Sequence, residues 1–272
     1  MRIARFTTGD DPRFGVVHGD VDELGIPADD TTIVALKGDP LYVGVEPTNE
    51  QHRLEEVRLL APVLPRSKVV GIGKNYVAHA AELDSDVPAE PLMFLKPNTS
   101  VVGPGDPVFY PRQSQNVHYE GELAVVIGRI CRDVPANEDD VSSVIWGYTV
   151  ANDVTARDLQ RSDVQFTRAK GFDSFCPLGP WVETEIGAAP ADLALNVQTH
   201  LNGDLKQDGN TKDMVFDVAR LVAHVSSVMT LLPGDVILTG TPEGVGPMQV
   251  GDEVEVSIGG IGALTNKVAT RD

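Results

Sequence analysis

Short stretches of alternating or continuously apolar residues predict strands at 2–6, 14–18, 69–73, 107–110, 120–127, 145–152, 180–184, 195–201, 236–239 and 253–258. Two stretches keep helical spacing instead. One is residues 75–83. The other is 216–232, where Phe216, Leu221, Val222, Val225, Val228, Met229 and Leu232 share a face until Pro233-Gly234-Asp235 stops the helix. Asn202-Gly203 predicts a tight hairpin after the strand at 195–201. Strands outnumber helices and do not alternate with them, which argues against a doubly wound sheet or a TIM barrel. The fold class is α+β, mostly β. Residues 1–62 read as a small N-terminal α+β unit, interrupted by the turn-rich Gly9-Asp10-Asp11-Pro12. Residues 58–65 form a proline-stiffened connector, and 66–272 form the larger domain, where the chemistry-bearing motifs lie. No internal repeat is present.

Composition narrows the classes of function. Forty acidic and 22 basic residues in a chain of 272 give a formal net charge of −18. That charge argues against nucleic acid and against anionic membrane surfaces as partners. A small anionic substrate stays possible if a metal or a local cationic cluster reverses the field inside a site. No apolar run is long enough to span a bilayer, and the N-terminus lacks the apolar core of a signal peptide, so the expected location is cytoplasmic. Cys131 and Cys176 are too few for a disulfide framework or a zinc site, and Cys176 is expected to pack rather than react.

The stretch from His118 to Ile127 begins polar and ends apolar. Alternation would put Glu120 and Glu122 on one face of a strand, roughly 7 Å apart. Paired carboxylates repel and resist burial. Either this is a solvated edge strand with two surface acids, or the acids gather around a hard cation such as Mg²⁺, Mn²⁺ or Ca²⁺. Asp153, directly after the apolar strand at 145–152, is the best third ligand, and three carboxylates would leave about three positions of an octahedral ion for water or substrate. Three acids overcompensate a divalent charge, so nearby cations are expected, with Arg157 and Lys170 as candidates. Arg157 could equally pair with Asp153 or Asp158 across a helical turn, and Lys170 could be a surface lysine. On this reading Asp153→Asn relieves repulsion in the empty site and weakens metal binding more than folding. His79 and Glu82, three residues apart on the predicted helix, could form a general-base pair or an exposed ion pair. Gly71-Ile72-Gly73 lacks the third glycine of a dinucleotide loop. The glycine-rich run 240–246 lacks the Lys-Ser/Thr of a P-loop, although its N–H groups could approach a carboxylate.

Taken together, Gly73-Lys74-Asn75-Tyr76 with His79 and Glu82, Phe94-Leu95-Lys96-Pro97, Glu120-Gly121-Glu122-Leu123, Asn152-Asp153-Val154-Thr155-Ala156-Arg157-Asp158, Ala169-Lys170-Gly171-Phe172-Asp173 and Leu238-Thr239-Gly240-Thr241-Pro242-Glu243-Gly244 resemble the fumarylacetoacetate hydrolase family. The motifs occur in the family's order and span residue 66 to the C-terminus, and the first 60 or so residues resemble the short N-terminal domain of its bacterial members. The resemblance implies a mixed β-roll-like catalytic domain and a homodimer. It implies Mg²⁺ or Mn²⁺ on Glu120, Glu122 and Asp153, and a lid carrying His79 and Glu82. It implies an active-site Lys170, and Arg157, Gln160 and Thr241 at the substrate's carboxylate end. Lys74 stands where the family often has Arg, a change expected to matter little although Lys lacks the bidentate fork.

The implied substrates are small 2-oxo or 2,4-dioxo acids. The leading expectation is a divalent-metal-dependent hydrolase that cleaves a C–C bond in an acylpyruvate-like or fumarylpyruvate-like acid through a metal-stabilised enolate. An oxaloacetate decarboxylase and a 2-hydroxyhepta-2,4-diene-1,7-dioate isomerase of aromatic-compound catabolism share that enolate, so the motifs do not separate the three. A non-catalytic metal-binding scaffold is the rival of a different class. The complete set of three acids, His79, Glu82 and Lys170 argues against it.

Overall fold

The computed structural model describes residues 1–9, 11–22, 26–186 and 189–271. Asp10 of the predicted Gly9-to-Pro12 turn and Asp272 at the end of the second unit lie outside the described residues. The chain is strand-rich, mixed and of the expected α+β class. A 12-stranded sheet runs in the order Pro47–Arg53, Thr32–Leu36, Arg13–His18, Arg2–Thr7, Cys176–Glu183, Ile145–Asn152, Gly121–Ile127, Val236–Leu238, Val69–Gly73 and Leu92–Lys96, with Arg58–Leu60 and Val101–Val102 pairing off this path. The N-terminal strands continue the sheet of the larger domain, because Arg2 and Ile3 pair with Glu183 and Val182. Arg58–Leu60, expected as connector, pairs with Arg5–Thr7.

Gly121–Ile127 lies at the centre of this sheet and is buried along its whole length. It is continuously apolar after Glu122 because both faces are covered. On one face Leu123, Val125 and Ile127 pack against Leu221, Val222 and Val225 of the helix Val218–Val228 and against Val256 and Ile258 of a second sheet. On the other, Ala124 and Val126 meet Ala151, Leu178, Val182 and Leu238. The second sheet has five strands, ordered Asp204–Asn210, Asn196–Leu201, Glu253–Ile258, Gly262–Ala269 and Val108–Phe109. A three-stranded sheet joins Thr155–Ala156, Val117–Tyr119 and Gly246–Pro247.

The predicted hairpin is present, with Leu201 opposite Asp204 and with Asn202 and Gly203 at φ 54 and 83. Both central residues take the left-handed conformation that a two-residue turn demands. The long helix is shorter than 216–232. Asp217 caps it by accepting from Arg220 N at 2.7 Å. After Val228 the chain turns extended at Met229, so that Leu231 can bridge to Cys131. The predicted helix at 75–83 is Val77–Glu82, because Asn75 is spent on tertiary hydrogen bonds. Strands Thr32–Leu36, Pro47–Arg53, Leu92–Lys96, Asp204–Asn210 and Gly262–Ala269 fall outside the sequence expectations. No helix among the described residues is long and apolar enough to cross a membrane.

Candidate metal centre

Glu120 does not continue the strand of Glu122, as alternation alone suggests. It stands at the break between Val117–Tyr119, in the three-stranded sheet, and Gly121–Ile127, in the large one. Asn152 and Asp153 hold that break. Glu120 N donates to Asn152 Oδ1 at 2.9 Å, and Asp153 N donates to Glu120 O at 2.9 Å. The register Gly121↔Asn152 sets Asp153 opposite Glu120 where the two strands end. Carboxylate oxygens of Glu120, Glu122 and Asp153 lie within 4.8 Å of one another, and all three residues are buried. Burial rules out the solvated-edge reading.

Three cations surround the acids. Lys170 Nζ donates to Glu120 Oε2 and Asp153 Oδ2, each at 2.6 Å. Arg157 Nη2 donates to Glu120 Oε1 at 2.5 Å, and Lys96 Nζ to Asp153 Oδ1 at 2.5 Å. Lys170 is therefore no surface lysine. Arg157 crosses to Glu120 rather than pairing along its own helix, where Asp158 instead accepts from Ser114 and Gln115. Burial disfavours the charge on Glu120, but Lys170 and Arg157 outweigh it and hold this carboxyl well below its ordinary range. Burial likewise opposes the charge on Lys170, and Asp153 and Glu120 outweigh it, raising the ammonium above its ordinary value.

Glu122 is the exception. Among the described residues its one hydrogen-bond partner is the N–H of Gly240, at 2.7 Å. Burial, then the charges of Asp153 and Glu120, push its carboxyl well above the usual range. The three cations pair with Glu120 and Asp153, and none of them forms an ion pair with Glu122. An all-oxygen donor set with one carboxylate lacking a cation fits a hard divalent ion placed among the three acids.

His79 is buried, which excludes a fully exposed ion pair. Its Nδ1 lies 3.3 Å from Glu82 Oε2, and because a carboxylate oxygen can only accept, this contact selects the tautomer with hydrogen on Nδ1 and the lone pair on Nε2. Glu82 Oε1 accepts from Gly244 N at 3.2 Å, and Tyr119 OH donates to Gly244 O at 3.0 Å, so the glycine-rich loop orients the pair. His79, Glu120, Glu122, Arg157, Gln160, Lys170 and Thr241 line one cavity of about 30 Å³. Asp153 accepts from Lys170 on this wall. Gln160 accepts from Arg157 Nη1 at 2.9 Å. The hydroxyl of Thr241 donates to Gly121 O and accepts from Gln207 Nε2, both at 2.8 Å, so its proton is already committed within the protein.

Sequence reasoning assigned no role to Lys96, Gln207, Asn152 or Asn75. Lys96 ends the apolar run Leu92-Met93-Phe94-Leu95 just before Pro97, and its burial is the one feature that would have singled it out. Gln207 is the buried residue of the otherwise polar strand Asp204–Asn210. It also accepts from Gly121 N at 2.9 Å and Thr199 Oγ1 at 2.8 Å. Cys176 packs as expected, its thiol pushed up to about 12 by burial.

The architecture and the site define a mixed-β protein with a buried carboxylate centre suited to a hard divalent cation and a histidine–glutamate pair beside it. The chain belongs to the fumarylacetoacetate hydrolase family, since residues 68–269 match the model of the fumarylacetoacetate (FAA) hydrolase C-terminal domain. Residues 1–62 match the Rv2993c-like N-terminal domain. Protein Rv2993c of Mycobacterium tuberculosis is 49% identical over 275 residues, covering 100% of this chain and 99% of that protein. The human mitochondrial oxaloacetate tautomerase FAHD2A is 46% identical over 222 residues, 78% of this chain and 70% of its own. Among solved structures, the 5-carboxymethyl-2-hydroxymuconate delta-isomerase of Mycobacterium smegmatis superposes with a TM-score of 0.88 at 46% identity, covering 100% of both chains. The maleylpyruvate hydrolase of Sphingobium sp. SYK-6, in complex with manganese(II) ion and pyruvate, gives 0.78 at 32% identity, again over 100% of both. The chain's relatives thus include enzymes of several reactions within one family.

Proposed function

We propose that this chain is a divalent-metal-dependent hydrolase that cleaves the C–C bond of a 2,4-dioxo acid to pyruvate and a carboxylic acid. The observation that carries this reading is the His79–Glu82 pair set beside three buried carboxylates, one of which lacks a cation. When bound, a Mg²⁺ or Mn²⁺ ion would supply Lewis-acid polarisation of the substrate's carboxylate and 2-oxo oxygens and offset enolate charge. Glu82 holds His79 with Nε2 free, and His79 takes a proton from water as the oxygen attacks the C4 carbonyl. The C3–C4 bond then breaks and its electron pair passes to C3, giving the enolate of pyruvate and the free acid. Protonation of C3 from His79 completes pyruvate and restores the base. Lys170, held charged between Glu120 and Asp153, serves as a fixed positive charge for the enolate rather than as a proton donor. Arg157 and Gln160, joined to each other, offer the cationic end for the substrate's carboxylate.

A second reading is favoured by the human relative: enol–keto tautomerisation of oxaloacetate, in which His79 only moves a proton. A single NMR time course tests both. The protein with Mn²⁺ receives an acylpyruvate and oxaloacetate together, with an EDTA control. EDTA-sensitive appearance of pyruvate and the free acid supports the hydrolase. Accelerated enol–keto exchange of oxaloacetate with the acylpyruvate intact replaces it with the tautomerase, and loss of CO₂ from oxaloacetate with a decarboxylase. The same reading has the chain working as a homodimer, which light scattering checks.

A further inference from the structure

Lys74 is the cation on the cavity wall that serves no carboxylate. Arg157 is bound to Glu120 and Gln160, and Lys170 to Glu120 and Asp153. Lys74 lines the same cavity, is half-buried, and has no hydrogen-bond or ion-pair partner among the described residues. The chain carries 40 acidic residues and a net charge of −18, yet no described acid pairs with Lys74.

Its backbone makes the same point. Lys74 sits at φ 59, where a side chain costs energy that glycine avoids. The neighbour imposes this conformation. Asn75 is fully buried, donates from Nδ2 to Phe216 O at 3.0 Å and Thr239 O at 2.7 Å, and accepts from Phe216 N at 2.8 Å. That clamp fixes the turn between the strand Val69–Gly73 and the helix Val77–Glu82. The turn holds Lys74 on the cavity wall without a hydrogen bond or ion pair from its own side chain. The rest of the same wall is apolar, with Leu83, Phe94 and Phe166, the two rings packed edge-on at 5.8 Å.

We infer that Lys74 recognises a second carboxylate on the substrate, and that the preferred substrates are therefore 2-oxo dicarboxylates rather than 2-oxo acids with a neutral tail. This rests on the proposed 2-oxo acid chemistry and adds the identity of the far end. One carboxylate and the 2-oxo group face the Glu120, Glu122 and Asp153 cluster with Arg157. A short carbon chain crosses the apolar wall, and the terminal carboxylate meets the Lys74 ammonium, a mobile point charge suited to tails of differing length.

The test uses two unreactive ligands of equal chain length, 2-oxoglutarate and 2-oxopentanoate, titrated calorimetrically into the Mn²⁺-loaded protein. The variants are Lys74→Asn, which tolerates positive φ while removing the charge, and Lys74→Arg, which keeps it. The wild type is expected to bind 2-oxoglutarate about tenfold to a hundredfold more tightly, as for a charge-assisted hydrogen bond in a partly dry site. Lys74→Asn should lose that preference with 2-oxopentanoate binding unchanged, and Lys74→Arg should retain it. Equal binding of both ligands by the wild type, or a preference that survives Lys74→Asn, overturns the role of Lys74 and leaves the 2-oxo acid chemistry standing. Failure of both ligands to bind overturns that chemistry, and this inference with it.

Discussion

Asp153 and Glu122 are both buried carboxylates of one cluster, and neutralising each should move stability in opposite directions when metal is withheld. Asp153 receives Lys96 and Lys170 at 2.5 and 2.6 Å. Asp153→Asn strips the compensating charge from two buried ammonium groups, and breaking a buried pair in this way costs about 3–5 kcal/mol. The relief of repulsion expected from the sequence is outweighed, because the sequence did not reveal the second lysine. Glu122 has no cation, and it faces two other carboxylates within 4.8 Å. At an effective dielectric of about 20, each such repulsion amounts to about 3.5 kcal/mol before Lys170 and partial protonation reduce it. Glu122→Gln keeps an oxygen for the Gly240 N–H and removes the repulsion, for a net gain of about 1–3 kcal/mol. The two variants should therefore differ in Tm by on the order of 10 °C for a chain of this size. The assay is scanning calorimetry in EDTA near neutral pH. Added Mn²⁺ should raise the wild-type Tm and leave both variants nearly unmoved. If Asp153→Asn is as stable as Glu122→Gln in EDTA, the assignment of charges within this cluster is wrong.

Three further outcomes follow from the same geometry. The Glu122 carboxyl is held above its ordinary 4.5 by burial and by its two acidic neighbours. The stability that its proton contributes is complete below about 4.5 and is lost as pH rises through the elevated native value. Without metal, wild-type Tm should thus decline relative to Glu122→Gln as pH rises, and Mn²⁺ should abolish the difference; parallel profiles in EDTA would contradict this. His79→Ala should leave Mn²⁺ affinity intact and reduce acylpyruvate turnover about a hundredfold to ten-thousandfold, read by single-turnover kinetics. Unchanged turnover would remove His79 from the chemistry. Gln207→Leu should cost about 2–4 kcal/mol, because it removes the partner of Pro242 O, Gly121 N and the Thr199 hydroxyl and the donor to the Thr241 hydroxyl, and an unshifted urea midpoint would deny Gln207 its place in that network.

The acids were legible because strand ends carry a local signature. Glu120 and Glu122 precede an apolar run, Asp153 follows one, and antiparallel pairing brings such ends together. The break at Glu120 was not legible, because it depends on Asn152 and on a switch between sheets that no local pattern encodes. Lys96 escaped for the same reason, since its partner lies 57 residues away. Pro47–Arg53 and Asp204–Asn210 are polar strands whose side chains are mostly exposed, so apolar periodicity had nothing to register. The helix at 216–232 was overextended because Met229 and Leu231 are apolar for another reason, packing into the core in an extended segment that bridges to Cys131. Tertiary pairing, rather than propensity, decided each of these places.

The central claim is that Glu120, Glu122 and Asp153 form one divalent-metal site. Its most direct test is a titration of the EDTA-stripped protein with Mn²⁺, followed by electron paramagnetic resonance, beside Glu122→Gln. The account predicts one tightly bound Mn²⁺ per chain in the wild type and the loss of that binding in the variant. Absence of bound Mn²⁺ in the wild type, or equal binding by both proteins, would contradict it.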